Sequence, residues 1–278
     1  MFWRRKKFDP ESLSERERER YGRNMIVKEW GGDEGQLALK RSTVLVVGAG
    51  GSGSSLLYYL AAAGVGTIRI CDGDTVSRGN LNRQILYAEG SIGRKKAKEA
   101  ARVLGRLNPD IVVKPYPEKL DGENADGLMK DAQIVCCAVD DRDAMRTIGT
   151  QAVKHRIPVT WAGGYYMGGF LTFVQPPVTP CMECMIEILN KCEAAIKSGE
   201  VPLRSDITLE VGGENPIVGA AAGTAGAMQA METIKHLVGF GGSYLGIMVE
   251  FQMGGVGMRF NQYDIDQMRR KGCPFCNP

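Results

Sequence analysis

Two short apolar segments, Thr43–Val47 and Thr67–Cys71, flank a segment rich in alanine and leucine. This order predicts a strand, a helix and a second strand, the start of a βαβ unit. Further apolar runs at residues 111–114, 133–139 and 158–162 alternate with helix-like segments at residues 93–107, 125–130 and 141–155. Such alternation is typical of an α/β fold with a mostly parallel sheet and helices on both faces.

The pattern changes after Gly169. Strand-like runs at residues 170–175, 247–252 and 256–260 predict later antiparallel strands, and helices are expected at residues 185–197 and from Pro216 onward. Before the first strand, residues 21–40 predict a helical segment interrupted by glycines. We expect residues 1–20 to form a charged N-terminal arm with a solvent-exposed helix at residues 15–20, and residues 21–278 to form a single domain.

The charge balance and the hydropathy exclude several kinds of partner. Lys plus Arg number 35 and Asp plus Glu number 32 among 278 residues, which leaves no basic field for nucleic acid. The most apolar helical stretch, residues 217–230, is shorter than a membrane span and ends near Glu232 and Lys235. The basic N-terminus lacks the apolar core of a signal peptide, so we expect a cytoplasmic protein that binds neither membranes nor nucleic acid.

A glycine turn follows the first predicted strand. Gly48, Gly50 and Gly53 have the spacing that allows a sharp turn, close approach of a phosphate and close helix packing. The following helix would offer its N-terminal N–H groups to an anion. Asp72 ends the second predicted strand, where a carboxylate can accept hydrogen bonds from ribose hydroxyls. The pattern therefore favours a nucleotide-binding, Rossmann-like fold over a glycine-rich turn without a ligand.

Half of the eight cysteines form two CxxC pairs, Cys181 with Cys184 and Cys273 with Cys276. Two such pairs predict a structural Zn²⁺ site with four thiolate ligands, in preference to free or redox-active thiols. A shared metal would attach the C-terminus to the body of the domain. Of the remaining cysteines, three are predicted to be buried thiols in strands: Cys71, Cys136 and Cys137. Cys192 is isolated in the sequence.

These motifs occur together with two further ones: NLNRQ at residues 80–84, followed by Lys96, and an Asp140-Asp141 pair after the fourth predicted strand. The combination resembles the ThiF/MoeB/HesA family of adenylating enzymes, relatives of ubiquitin-activating enzymes, from about Arg20 to the C-terminus. The resemblance implies an adenylyltransferase. In that family the C-terminal carboxylate of a ubiquitin-like or sulfur-carrier protein, typically ending in Gly-Gly, attacks the α-phosphorus of ATP and becomes an acyl-adenylate for sulfur transfer or conjugation.

The resemblance also implies roles for individual residues. Asp72 would bind the ribose, Lys96 a phosphate oxygen, and Asp140 the Mg²⁺ that accompanies ATP. Asp141 stands where the family often has Asn, which leaves open which aspartate of the pair holds the metal. Arg23 matches an arginine that family members insert into the neighbouring subunit, which implies a homodimer with composite sites. Other residues implied in nucleotide or phosphate binding are Gly48, Gly50, Gly51, Gly53, Asn80, Asn82 and Arg83.

One feature of the family pattern is absent. Many relatives carry a cysteine for a thioester or persulfide in the loop before the late helix, and the matching place here falls near Thr208. Cys192 is a candidate nucleophile, although a structural cysteine on a helix is the simpler interpretation. Taken alone, Arg83 and Lys96 also fit surface charges. A nicotinamide-dependent oxidoreductase and a non-catalytic dimeric scaffold of the same fold therefore remain alternative hypotheses.

Overall fold

The structure is a computed structural model that describes residues 9–198, 216–241, 243–254 and 257–276. Some sequence-based predictions lie outside these residues: the first part of the charged arm, the loop around Thr208 and the start of the strand predicted at residues 256–260. Cys192 lies in a described helix, but its side chain is outside the described set.

A single sheet contains every strand found in the described residues, in the order β3-β2-β1-β4-β5-β6-β7-β8. The first five strands are parallel to one another. They are β1 (Thr43–Val47), β2 (Thr67–Cys71), β3 (Val112–Tyr116), β4 (Ile134–Cys137) and β5 (Val159–Tyr165). Strands β6 (Gly168–Val174), β7 (Ile247–Gln252) and β8 (Arg259–Asp264) then add antiparallel pairs. The predicted fold class is confirmed.

The last strand begins later than predicted. Its pairing starts where Arg259 meets Gln252 and ends where Asp264 meets Ile247. The polar sequence Asn261-Gln262-Tyr263-Asp264 does not resemble a buried strand, because β8 forms the edge of the sheet and most of its residues are exposed. The prediction of a strand at residues 256–260 therefore placed this element too early.

Helices cover both faces of the sheet. They are α1 (Glu15–Met25), α2 (Gly32–Arg41), α3 (Gly51–Ala63), α4 (Lys96–Leu107), α5 (Ala125–Met129), α6 (Arg142–His155), α7 (Met182–Ser198) and α8 (Gly219–Val238). Helices α3, α4 and α8 contribute to one apolar core, and α5, α6 and α7 contribute to another. Among the described residues, every helix is too short or too polar to cross a membrane.

Helix α1 crosses the predicted limit of the N-terminal arm. Ser14 begins the helix with a capping box completed by Glu17. The Glu17 carboxylate is buried and lies 2.7 Å from Nζ of Lys40 on α2. The buried Tyr21 hydroxyl accepts a hydrogen bond from the Asn108 side chain at 2.8 Å. The expectation of a solvent-exposed helix was wrong for this face, because the alternating Glu/Arg pattern does not reveal a partner on α2.

Candidate active site

The glycine turn connects β1 to α3. Gly48 has φ +96°, and a Cβ atom there would lie 2.5 Å from the Ala138 carbonyl oxygen after β4. A Cβ on Gly53 would lie 2.2 Å from the Gly48 carbonyl oxygen, so the first turn of α3 packs directly on the glycine turn. The Tyr87 hydroxyl donates to the Ala49 carbonyl at 2.8 Å. These contacts require glycine and fix the turn in one conformation.

Asp72 lies beside this turn, as predicted from its place after β2. Its Oδ2 accepts a hydrogen bond from the Ala49 backbone N–H at 2.7 Å, and its Oδ1 accepts one from Asp74 N–H at 2.9 Å. Each carboxylate oxygen keeps a further lone pair that can accept a ligand hydroxyl. The side chain is thus oriented by the backbone and suited to bind a ribose.

Arg83 lies next to the N-terminus of α3. A Cβ atom on Gly51 would be 3.6 Å from Cγ of Arg83. The guanidinium donates to the Gly79 carbonyl and to Oδ1 of Asn82, both at 2.9 Å. Asn80 has its own local role, since its Oδ1 accepts from Ser77 N–H at 3.1 Å. The loop therefore places a cation at the positive end of a helix dipole, which favours an anionic ligand.

The N-terminus of α8 reaches the same place. A Cβ on Gly219 would lie 2.4 Å from the Asn82 carbonyl oxygen, and one on Gly51 would lie 3.0 Å from Cβ of Ala222. The segment before α8 is held by a hydrogen bond from Val218 N–H to the Tyr166 carbonyl at 2.8 Å. Two helix N-termini and one guanidinium thus converge, which sequence analysis did not anticipate for α8.

Lys96 lies in the first turn of α4 and points to the loop after Asp72. Its ammonium donates to Oδ2 of Asp74 at 2.9 Å. The Lys96 side chain is 7% exposed, whereas the Asp74 side chain is 62% exposed. Asp74 also accepts the Lys96 backbone N–H at 2.9 Å. Asp74, to which sequence analysis assigned no role, therefore links Lys96 to Asp72.

The two aspartates after β4 are in different environments. The Asp141 side chain accepts from Ala144 N–H at 2.8 Å and forms the N-cap of α6. Asp140 is exposed, and its carboxylate has no hydrogen bond or ion pair with another described residue. Ala138, two positions before it, contacts Gly48. Asp140 is thus the aspartate of the pair that is available to a cation near the glycine turn, and Asp141 is engaged as a cap.

Two further predicted residues lie on helices α1 and α7. Arg23 is exposed near the end of α1 and contacts none of the other predicted site residues in the described part of the chain. Cys192 belongs to α7, the helix that starts in the cysteine cluster. Arg23 makes no hydrogen bond or ion pair with a residue of the glycine turn in the described part of its own chain.

The four paired cysteines form one buried cluster. Sγ of Cys181 lies 3.7 Å from Sγ of Cys273, and Sγ of Cys184 lies 3.7 Å from Sγ of Cys276. All four ligand atoms lie within 4.8 Å of one another. Sulfur atoms bound to a tetrahedral Zn²⁺ at 2.3 Å would lie roughly 3.8 Å apart. The cluster therefore has the dimensions of a four-thiolate metal site.

The cysteines of the cluster differ in how readily they ionise, and burial raises the pKa of Cys181 as well as that of Cys184. Burial raises the pKa of Cys184 to about 11, as expected for a thiol removed from water. Burial also opposes ionisation of Cys273, yet hydrogen bonds from the backbone N–H groups of Phe275 and Cys276 and from the thiols of Cys184 and Cys181 together outweigh it and lower the pKa of Cys273 to about 6. The Arg269 guanidinium donates to the carbonyls of Pro177, Val178 and Cys276 and attaches the C-terminal segment to the body.

Known proteins resemble this chain in sequence and in fold. A profile of the ThiF family matches residues 21–275. Adenylyltransferase and sulfurtransferase UBA4 of Candida glabrata is 38% identical over 232 residues, 83% of this chain and 50% of that protein. UBA4 of Meyerozyma guilliermondii is 36% identical over 228 residues, 82% of this chain and 50% of that protein. The chain thus spans about half the length of the curated relatives it matches.

Solved structures agree with this relationship at the level of the fold. The crystal structure of E. coli MccB with AMPCPP and MccA superposes with a TM-score of 0.74 at 22% identity, covering 93% of this chain and 74% of that chain. MccB with ATP gives a TM-score of 0.73 at 22% identity, covering 93% of this chain and 73% of that chain. The profile match over nearly the whole sequence and the identity to the UBA4 proteins together show that this chain belongs to the ThiF family.

Proposed function

We propose that this chain is an ATP-dependent adenylyltransferase that activates the C-terminal glycine carboxylate of a ubiquitin-like or sulfur-carrier protein. The observation that carries the proposal is the convergence of Arg83 and the N-termini of α3 and α8 beside Asp72. An anionic carboxylate and a triphosphate must share one site, and this arrangement offsets their repulsion. The names of the UBA4 relatives, and the MccB structure with AMPCPP and MccA, support the same reaction class.

In the proposed reaction, a carboxylate oxygen of the carrier forms a bond to the α-phosphorus of ATP while the bond to pyrophosphate breaks. Asp72 accepts hydrogen bonds from the ribose and sets the position of the nucleotide. Arg83, with Asn80 and Asn82 in the same loop, binds phosphate oxygens. Lys96 leaves Asp74 and donates to a phosphate oxygen as negative charge moves to the leaving group. The products are an acyl-adenylate and pyrophosphate.

Two metal ions fit residues of the chain. Asp140 offers an exposed carboxylate, the kind of ligand that Mg²⁺ takes together with phosphate oxygens, and such an ion would neutralise the triphosphate. Asp141 is a weaker candidate because it caps α6. The cysteine cluster would hold Zn²⁺ with four thiolates, which leaves no open position for substrate, so this ion would be structural.

We infer a homodimer in which Arg23 of each subunit completes the site of the other. Arg23 is exposed and has no partner in the described part of its own chain. The residues that follow helix α1 are apolar and exposed: Ile26 by 76% and Val27 by 45%. Exposed apolar side chains beside a functional arginine fit a protein interface. We further treat residues 21–278 as one adenylation domain, preceded by an arm at residues 1–20 whose last part belongs to α1.

After adenylation, we propose transfer of the acyl-adenylate to a separate sulfur donor or nucleophile, with a thioester at Cys192 as the alternative. A thioester at Cys192 and transfer to a separate nucleophile are both compatible with the proposal. Full acyl transfer by a Cys192→Ala variant would exclude the thioester at this residue. The seven cysteines whose side chains are described are unpaired, which fits a reducing compartment, and we propose a cytoplasmic location.

The proposal is tested by ATP–pyrophosphate exchange. Purified protein with Mg²⁺ and a ubiquitin-fold carrier ending in Gly-Gly should exchange labelled pyrophosphate into ATP, and the same carrier without its last glycine should not support exchange. Binding of NAD(H) without exchange would favour the oxidoreductase hypothesis. If protein that is folded and was purified without bound ATP shows no exchange with any such carrier, the non-catalytic scaffold would be favoured.

A further inference from the structure

A buried carboxamide lies beside the glycine turn. The Gln84 residue, the last of the NLNRQ segment, is 4% exposed. A Cβ atom on Gly50, the residue that caps α3, would lie 3.8 Å from Nε2 of Gln84. The Oε1 atom of Gln84 is buried and has no hydrogen-bond partner in the described part of the protein. A polar side chain therefore reaches the turn without a partner there.

In the described part of the chain, the two other glutamines that are fully buried both donate through Nε2. Nε2 of Gln36 donates to the Ala63 carbonyl at 2.8 Å. Nε2 of Gln229 donates to the carbonyls of Cys137 and Thr160 at 3.1 and 2.9 Å. These amides tie elements together even though their Oε1 atoms are unpaired. Within the described residues, Gln84 makes no hydrogen bond through either atom of its carboxamide. Its backbone alone is engaged, by Asn80 and Tyr87.

An unpaired buried amide costs free energy and needs an explanation. If the side chain only filled space under the turn, an apolar side chain of the same size would make the folded protein more stable. Gln84 reaches Gly50 at the positive end of α3, and the Arg83 side chain packs near the next residue, Gly51. A helix N-terminus and a cation beside it both favour an anion. An amide offers such a ligand an N–H donor, and it also offers an acceptor for a hydroxyl or N–H group.

We infer that Gln84 is a nucleotide-binding residue of this site. Nε2 donates to a phosphate oxygen at the glycine turn, while Oε1 stays buried beneath it. The inference rests on the proposed function, because it assigns a further contact to the same nucleotide.

The test is calorimetric titration of AMPCPP with Mg²⁺ into the full chain, together with thermal unfolding. Gln84→Met keeps the volume and removes both polar atoms. Loss of a hydrogen bond to a charged group should raise Kd about tenfold. The Tm of the ligand-free variant should equal or exceed that of the wild type, because no buried amide is left unpaired. Gln36→Met is the matched control, and it should lower Tm while leaving Kd unchanged.

A second variant covers the case in which Gln84→Met does not fold. Gln84→Glu has nearly the same shape and adds a negative charge beside the phosphates, so its Kd should rise more than tenfold. An AMPCPP affinity within about twofold of the wild type in either folded variant would overturn the inference and leave the adenylyltransferase proposal intact. Failure of the wild-type protein to bind AMPCPP would overturn both.

Discussion

The ammonium of Lys96 lies 2.9 Å from Oδ2 of Asp74, and this pair joins the first turn of α4 to the loop that follows Asp72. Lys96 is almost completely buried along its stem, while its partner is largely exposed. A lysine restrained in this way has little rotamer entropy left to lose when it transfers to a phosphate. Asp74 therefore holds Lys96 at the edge of the site before the nucleotide arrives.

Replacement of Lys96 should therefore affect catalysis much more than folding. In Lys96→Met, pyrophosphate exchange should fall about 100-fold, because one cation that stabilises developing charge is lost. The measurement is kcat and KM for exchange, with Tm as the check on folding. Lys98→Met is the control, since Lys98 is exposed on the same helix, and it should keep wild-type exchange. Equal losses in the two variants would contradict a specific role for Lys96.

Glu99, one turn further along α4, should make stability depend on pH. Hydrogen bonds from Arg102, supported by Ser91 and opposed by burial, lower the pKa of Glu99 to about 2. Because the folded-state pKa is depressed, the stabilisation is complete above the unfolded pKa of about 4.3 and is lost as pH falls toward about 2. Glu99→Gln should cost about 1–3 kcal/mol at pH 7, reduced from the full linkage value by the exposed arginines.

Denaturant unfolding of both proteins between pH 7 and pH 3 checks this expectation. The difference in unfolding free energy between the wild type and Glu99→Gln should shrink as the solution is acidified. A constant difference across that range would show that the carboxylate charge of Glu99 is not what stabilises the segment around Ser91.

The contact between α3 and α8 should tolerate an alanine at one glycine and not at the other. A Cβ on Gly226 would lie 2.0 Å from the Ser52 carbonyl oxygen, whereas one on Gly223 would meet nothing within 4 Å. Gly226→Ala should therefore destabilise the protein by about 1–3 kcal/mol, since the two helices must move apart. Gly223→Ala should stabilise it by up to about 1 kcal/mol through helix propensity. Denaturant midpoints measure both, and similar values for the two variants would refute the close approach.

The sequence predicted the parts of the fold and the site that depend on local patterns. The β1 and β2 boundaries matched the structure because buried strands have apolar β-branched runs, and the glycine spacing placed Asp72 beside the turn. The edge strand β8 was misplaced because its exposed residues carry no apolar pattern. Local sequence identifies buried elements more reliably than elements at the edge of a sheet.

Contacts between segments that are distant in the chain could not be predicted from the sequence. The burial of Glu17 depends on Lys40, and the role of α8 at the site depends on the approach of Gly219 to Asn82. Both require the packing of elements whose relative positions no motif specifies. The separation of Asp140 from Asp141 likewise needed the start of α6, where one carboxylate serves as the cap.

The cysteine cluster should bind about one equivalent of zinc per chain. Cys276→Ser should lose most of this zinc and lower Tm, because metal binding contributes directly to folding. Cys71→Ala is the control, since Cys71 is buried outside the cluster, and it should retain zinc. Elemental analysis of protein purified without chelator provides the measurement. Zinc far below one equivalent in the wild type would contradict the structural metal site.

Composite sites in a homodimer should be revealed by mixing two inactive variants. Arg23→Ala removes the arginine donated to the partner, and Asp140→Ala removes the proposed magnesium ligand of the subunit's own site. Each variant alone should lose exchange activity, about 100-fold or more.

In a mixed dimer, the Asp140 of the first variant meets the Arg23 of the second, so one of the two sites is intact. Exchange should therefore recover after the two are mixed and allowed to re-equilibrate, toward one quarter of the wild-type rate for random pairing. Two separate preparations of the Arg23→Ala variant, mixed with each other in the same way, should show no recovery. If the variant mixture also shows none, while light scattering confirms that subunits have exchanged, Arg23 acts within its own chain or not at all.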